Sequence, residues 1–225
     1  MIVYGRYGNT RENVPAGASF FDAINIGSGD YQPRSAGYGL LWHMAPPLFP
    51  GATIATATVT ASGLRCCPFV TPSFIKPKLA GVGIRLENAT VGNPGASGIF
   101  SLWDGVAGPN NKYPGVKLWQ SESIDMSASG YYVRYPNVAL DRGQTYWLGF
   151  LNSRNATVAG IPVTGFGLSL GSTNALPTAQ ANTCISVAYN FHAGLTGLPQ
   201  FYPLGGAHQT TAATGPIIWY ALTEA

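Results

Sequence analysis

Apolar and polar residues alternate with a period of two over many short stretches of the chain, and the spacing of an amphipathic helix is almost absent. In residues 53–61, for example, Ala55, Ala57 and Val59 can face one side while threonines face the other. Glycine or proline interrupts nearly every longer window, so the pattern predicts an all-β protein. Strands are predicted at residues 53–61, 64–70, 79–86, 98–103, 116–120, 130–135, 144–151, 165–170, 183–191 and 217–222.

The predicted strand around residue 148 is apolar on both faces. Tyr146, Leu148 and Phe150 would lie on one face, and Trp147 and Leu151 on the other. A strand of this kind belongs in the middle of a sheet that is covered on both sides. We therefore expect Trp147 to be a core residue.

Turn-forming residues separate the predicted strands. Proline presets φ and glycine accepts positive φ, and such sequences occupy residues 93–95, 108–110, 113–115, 141–143 and 198–199. Many short strands with this punctuation favour a sandwich or a barrel. Residues 48–225 are long enough for two sheets, and we predict a two-sheet antiparallel β-sandwich of jelly-roll type with an irregular N-terminal arm in front of it.

Residues 1–47 are predicted to form this arm, apart from the sandwich in residues 48–225. The segment combines many glycines with large aromatic side chains. Each exposed aromatic side chain would forgo about 1.5–3 kcal/mol of burial free energy, so we expect the arm to dock. Its own sandwich and a neighbouring subunit or particle are both open as docking surfaces. The candidate attachment residues are Tyr4, Tyr7, Phe20, Phe21, Tyr31 and Tyr38.

Charged residues make up only 9% of the chain, and the net charge is +3. The 12 lysines and arginines are scattered singly, whereas a nucleic-acid binder needs a concentrated basic stripe. No uncharged run approaches the roughly 20 apolar residues of a membrane span. Residues 1–17 also lack the layout of a cleavable secretory signal. We expect neither a nucleic-acid partner nor membrane insertion.

One motif resembles a catalytic site. Residues 167–171 fit the nucleophile elbow of hydrolases, with Ser169 in the nucleophile position. The following residues have no helical period, and the only acid after Ser169 is Glu224, which comes after both His192 and His208. The hydrolase order of serine, acid and histidine is therefore absent, and we predict no catalytic residue and no enzyme.

The cysteines do not form a recognisable metal or disulfide pattern. Cys66 and Cys67 are neighbours, so in a strand they would point to opposite faces, and at most one could reach Cys184. Packing in the core is the simpler interpretation. The histidines are far apart in the sequence, and no metal site or cofactor is predicted.

Aromatic residues beside glycine and asparagine suggest a different kind of site. A sugar ring binds to an apolar aromatic face that is flanked by hydrogen-bonding groups. Large aromatic side chains are more often buried, so a core role stays open for each candidate. Asp104 could cap the following turn or contact a ligand or calcium. The candidate glycan-binding residues are Trp103, Asp104, Tyr113, Trp119, Phe201 and Tyr202.

The elements from residue 68 onward follow a recognisable order. They are residues 68–70, 81–84, 98–104, 113–115, 130–135, 140–149, 197–199 and 215–218. In order and spacing they resemble a jelly-roll domain of tail-fibre and other virion surface proteins of tailed bacteriophages, over about three quarters of the chain.

This resemblance implies a non-enzymatic virion structural protein: a tail fibre, a spike or a capsid decoration displayed on the particle. It also implies a homotrimer that contacts other virion proteins and the host surface. The alternative is a carbohydrate-binding module that recognises a host-surface glycan as the receptor.

Overall fold

The computed structural model of the chain describes residues 42–45, 54–73, 75–88, 96–105, 113–162, 186–190, 197–203, 208–210 and 214–225. These ranges contain fifteen strands and no helix, and so no helix that could span a membrane. The strands are β1 (Trp42–Ala45), β2 (Ala55–Val59), β3 (Gly63–Val70), β4 (Pro77–Asn88), β5 (Ser97–Asp104), β6 (Lys117–Gln120), β7 (Ile124–Asp125), β8 (Gly130–Arg134), β9 (Val138–Ala139), β10 (Thr145–Asn152), β11 (Ala156–Pro162), β12 (Ser186–Asn190), β13 (His208–Thr210), β14 (Thr214–Pro216) and β15 (Ile218–Glu224).

The strands form two antiparallel sheets. The eight-stranded sheet has the order β1-β15-β4-β11-β14, with β2 paired to β11 and with β8 and β9 paired to β4. The seven-stranded sheet has the order β13-β12-β3-β10-β5-β6, with β7 paired to β5. The predicted all-β fold with two antiparallel sheets is confirmed, whereas the jelly-roll connection between them stays a prediction.

The sheets pack face to face through an inter-sheet core of alternating apolar residues. In β2 the predicted alternation is confirmed, because Ala57 and Val59 are buried while Thr56 and Thr58 are exposed. Burying apolar surface contributes about 25 cal/mol per Å² and provides most of the stability of such a core. The core includes Cys67, Phe69, Phe100, Leu102, Tyr146, Leu148 and Phe150 from one sheet, and Leu79, Val82, Ile84, Val158, Ile218 and Tyr220 from the other.

The outer face of the seven-stranded sheet is apolar as well. Strand β10 lies between β3 and β5, as predicted for a strand that is apolar on both faces, and Trp147 is fully buried. A second group of side chains, which we call the outer cluster, covers this face. It consists of Leu64, Cys66, Ile99, Trp103, Trp147, Leu151, Leu198 and Tyr202, with Tyr113 and Tyr189 packed against it.

Gly149 lies under the outer cluster, where there is no room for a side chain. A Cβ atom at this position would overlap the Ser101 hydroxyl and would lie 3.0 Å from Nε1 of Trp103 and 3.2 Å from Sγ of Cys66. The Ser101 hydroxyl also accepts a 2.8 Å hydrogen bond from the indole N–H of Trp103. The close packing of this face therefore depends on glycine in the middle of β10.

The two neighbouring cysteines lie on opposite faces of β3, as expected. Cys67 is in the inter-sheet core, where its Sγ donates a 3.4 Å hydrogen bond to the carbonyl oxygen of Pro216. Cys66 is in the outer cluster, and burial raises the pKa of its thiol well above the ordinary value. Cys184 lies outside the described residues.

A buried histidine joins β1 to the core. His43 is 6% exposed, pairs with Tyr220 across the strands, and stacks on the ring of Tyr220 at 5.4 Å between centroids. Burial disfavours the charged imidazolium and lowers the pKa of His43 to about 4.

The turn and strand predictions had mixed outcomes. The turn at residues 141–143 is confirmed, with Gly143 at a φ of 61°. Strands β1, β7, β9, β11, β13 and β14 were not predicted. Strand β1 lies inside residues 1–47, so its four residues belong to a sheet. The predicted strand at 165–170 lies outside the described residues.

Candidate functional site

The structure brings three of the predicted glycan-binding residues together as a packed cluster. Trp103 and Tyr202 meet edge to face, with ring centroids 5.6 Å apart, and Tyr113 stacks on Tyr202 at 6.4 Å. Both Trp103 and Tyr202 are buried in the outer cluster. Their ring faces are covered by protein and do not form an exposed platform.

The remaining aromatic candidates lie apart from each other. Trp119 in β6 is partly buried and packs against the inter-sheet core. Phe201 is 69% exposed and forms an isolated bridge with Val116 beside the outer cluster. Of the five aromatic candidates, Phe201 is therefore the most open to solvent.

Asp104 closes the end of β5. Its Oδ1 accepts a 2.7 Å hydrogen bond from the backbone N–H of Val116, and its own N–H donates to the carbonyl oxygen of Val116 at 2.8 Å. Its carbonyl oxygen accepts from the N–H of Gly115 at 2.9 Å. These bonds match the capping role that the sequence left open for Asp104.

We expect Asp104→Ala to lower the free energy of unfolding by about 1.5 kcal/mol, because a carboxylate acceptor of a backbone N–H is lost. Asp104→Asn should lower the free energy of unfolding much less, since its amide oxygen can still accept the hydrogen bond from the Val116 N–H. Urea denaturation of both variants measures the difference. Equal losses in the two variants would contradict a capping role and would indicate a role that depends on charge, such as calcium binding.

Several predicted residues lie outside the described ranges. These include all six attachment residues of the arm, the elbow serine Ser169, and His192. Within the described ranges, no three His, Cys, Asp or Glu side chains form a group that could hold a metal ion.

An open groove crosses the outer face of the eight-stranded sheet. Gly83 in β4 pairs with Trp219 in β15 on one side and with Val133 in β8 on the other. Gly83 is on the outer face because its neighbours Val82 and Ile84 point into the inter-sheet core. We call this feature the sheet groove; it encloses about 390 Å³ and is lined by Gly83, Ile84, Tyr131, Val133, Tyr135 and Trp219.

Aromatic side chains form the walls of the sheet groove. Tyr131 is 73% exposed and Tyr135 is 68% exposed. Trp219 forms the opposite wall and packs against the buried side chains of Ile161 and Ile217. Gly83 contributes no side chain, so only backbone lies between the two walls at this position.

Two charged groups pair with each other at the Tyr131 end of the sheet groove, while Arg134 beside Val133 donates a 2.9 Å hydrogen bond from its guanidinium to the carbonyl oxygen of Val133. Arg85 pairs with Tyr131 across the strands, and its guanidinium lies 5.6 Å from the centre of the Tyr131 ring. The same guanidinium forms an ion pair with Glu87 at 3.2 Å. The Arg85–Glu87 pair therefore makes the Tyr131 end of the groove polar without adding net charge there.

The residues of the sheet groove cannot be identified as a site from the sequence pattern alone. The only local signal is period-two alternation, with glycines at 81 and 83 and with Tyr131, Val133 and Tyr135 on one side of the predicted strand at residues 130–135. That signal does not say which strands are neighbours. The pairing of Gly83 with both Trp219 and Val133 joins residues distant in sequence, so only the fold reveals the groove.

Comparisons with known proteins give little further information. No family model matches the chain, and no curated protein matches it. One similar solved structure comprises the cysteine protease and lectin-like domains of Cwp84, a surface layer associated protein of Clostridium difficile. The identity is 15%, the TM-score is 0.43, and the match covers 76% of this chain and 36% of that chain. A likeness this weak supports no conclusion about function.

Proposed function

We propose that this protein is a non-enzymatic structural protein displayed on a bacteriophage virion, where it works by contacting other macromolecules. The observation that carries the proposal is the sheet groove, because exposed aromatic rings on one sheet face gain burial free energy when a partner covers them. The low charge of the chain fits this role, since neutral surfaces are covered without desolvating ions. The phage context rests on the resemblance from residue 68 onward.

Immunogold labelling of intact phage particles tests this proposal. We expect antibodies against the full chain to label the outer surface of purified particles in negative-stain images. The location of the label on head or tail would then separate a capsid decoration from a fibre or spike. Protein found only in the soluble part of a lysate, with unlabelled particles, would overturn the proposal.

The resemblance to virion surface proteins also implies a homotrimer, because assemblies of this kind use closed symmetry. We expect the purified full-length chain to have the mass of a trimer in size-exclusion chromatography with light scattering. A monodisperse monomer at micromolar concentration would contradict this expectation.

A carbohydrate-binding module that recognises a host receptor is the second candidate function. The specific observation in its favour is the shape of the sheet groove, with a glycine floor between a tryptophan wall and a tyrosine wall. The two functions are compatible, because a protein of the particle surface can also bind the host. If the protein is stably retained on particles but binds no glycan, the structural role is the one function that remains.

A further inference from the structure

The width of the sheet groove follows from strand spacing. Neighbouring strands lie about 4.8 Å apart, so the backbones that carry Trp219 and Val133 are about 10 Å apart, with Gly83 midway between them. Any side chain at the middle position would fill this space. The result is a slot about one ring wide, with an aromatic wall on the β15 side and with Tyr131 and Tyr135 on the β8 side.

The walls have the chemistry that binds sugars. The indole of Trp219 and the phenol rings of Tyr131 and Tyr135 combine an apolar face with a polar edge. A pyranose has the complementary pattern, since its C–H groups form an apolar face and its hydroxyls lie around the edge. Stacking buries the apolar face, while the hydroxyls stay within reach of water and of polar side chains.

The ion pair at one end of the groove bears on whether a neutral or an anionic sugar can bind. Arg85 is two residues from Gly83 along β4, which is about 7 Å. Its guanidinium is already held by Glu87 and by the Tyr131 ring. An anionic sugar would have to approach Glu87 and disrupt that pair, so the Tyr131 end of the groove favours a ligand without net charge.

We infer that the sheet groove is a binding site for a neutral pyranose within a glycan, seated over Gly83 and stacked on the aromatic walls. This inference rests on the proposed contact role and names the ligand class of that same surface. The volume of about 390 Å³ lies in the range of about 300–1,000 Å³ that small-molecule sites occupy, which gives room for a short oligosaccharide segment. The Arg85–Glu87 pair offers hydrogen bonds to hydroxyls at one end.

Titration of the full-length protein with defined oligosaccharides tests the inference. The probes are the neutral hexaoses of α-linked glucose, β-linked glucose and β-linked galactose, with α2,3-sialyllactose as the charged counterpart. We expect at least one neutral hexaose to bind and to change the tryptophan fluorescence. Trp219→Phe should abolish most of the fluorescence change while binding, measured by calorimetry, persists, because phenylalanine still offers a ring face.

Variants on both sheets locate the site. We expect Tyr131→Ala with Tyr135→Ala to weaken binding about tenfold or more, because two stacking rings are lost. Gly83→Val should weaken it similarly by filling the floor. Leu118→Ala is the control, since it removes an exposed apolar side chain from β6 in the other sheet, and it should leave affinity unchanged. Thermal unfolding of each variant confirms that it is folded.

Four outcomes would overturn the inference. In the titrations these are the absence of binding by every neutral hexaose and the binding of sialyllactose alone. With the Tyr131→Ala, Tyr135→Ala double variant they are an affinity equal to that of the wild type and the conversion of an oligomer to a monomer. The last would make the groove a contact between copies of the chain. If one of these outcomes occurs while antibodies still label the surface of the particles, only the sugar site is refuted and the proposed virion role stands.

Discussion

Replacing Gly149 by alanine is expected to lower the free energy of unfolding by about 3 kcal/mol, because the new Cβ overlaps the Ser101 hydroxyl under the outer cluster. Ser101 can avoid the overlap only by rotating its hydroxyl. The buried indole N–H of Trp103 then loses its hydrogen-bond acceptor. For a chain of this size the loss corresponds to a fall in melting temperature of about 10 °C. Urea and thermal denaturation measure both quantities.

Two further variants test the cause of this effect. Gly197→Ala is the matched control: its Cβ would lie 3.5 Å from Nε2 of Gln120, an ordinary contact, so stability should change by less than about 0.5 kcal/mol. Ser101→Ala combined with Gly149→Ala should be less destabilised than the sum of the single variants, because the overlapping oxygen is gone. Strict additivity would show that the overlap with Ser101 is not the cause.

Acid is expected to destabilise the protein through His43. Its pKa is about 4 in the folded state and about 6.5 in the unfolded chain, so between these values only the unfolded chain takes up the proton. Stability is therefore full above about pH 6.5 and falls as the pH decreases toward 4. Over this window His43 should account for a loss of about 3 kcal/mol, after which the loss is constant.

The variant His43→Phe isolates this contribution. Phenylalanine keeps a ring against Tyr220 and does not titrate, while every carboxylate and the other two histidines are unchanged. The difference in unfolding free energy between pH 7 and pH 4 should be smaller in the variant by about 3 kcal/mol. If the wild type and the variant have the same pH dependence, His43 is not the source of the acid sensitivity.

The sequence predicted the parts of the fold that depend on local alternation. Strand β10 is apolar on both faces, which is enough to place it in the middle of a covered sheet. Strand β11 was not predicted, although its residues 156–162 pair with β2, β4 and β14. It contains Gly160 and ends in Pro162, two residue types that are depleted in strands, and its place in the sheet comes from partners that are distant in the sequence.

The candidate site was harder to predict than the fold. Trp103 and Phe201 look equally suitable as sugar-binding residues in the sequence, yet the first is fully buried and the second is largely exposed. Burial depends on the covering segment around Leu198, which joins the outer cluster from far along the chain. Residue type therefore identifies aromatic candidates, whereas strand pairing and covering segments decide which of them face solvent.

The adjacent thiols of Cys66 and Cys67 provide two built-in reporters of different motions. The thiol of Cys66 becomes reactive toward iodoacetamide only when the covering segment lifts from the outside of the sheet. The thiol of Cys67 becomes reactive only when the two sheets separate. Mass spectrometry of alkylated protein under mild denaturant can therefore distinguish peeling of the cover from opening of the sandwich, without any introduced label.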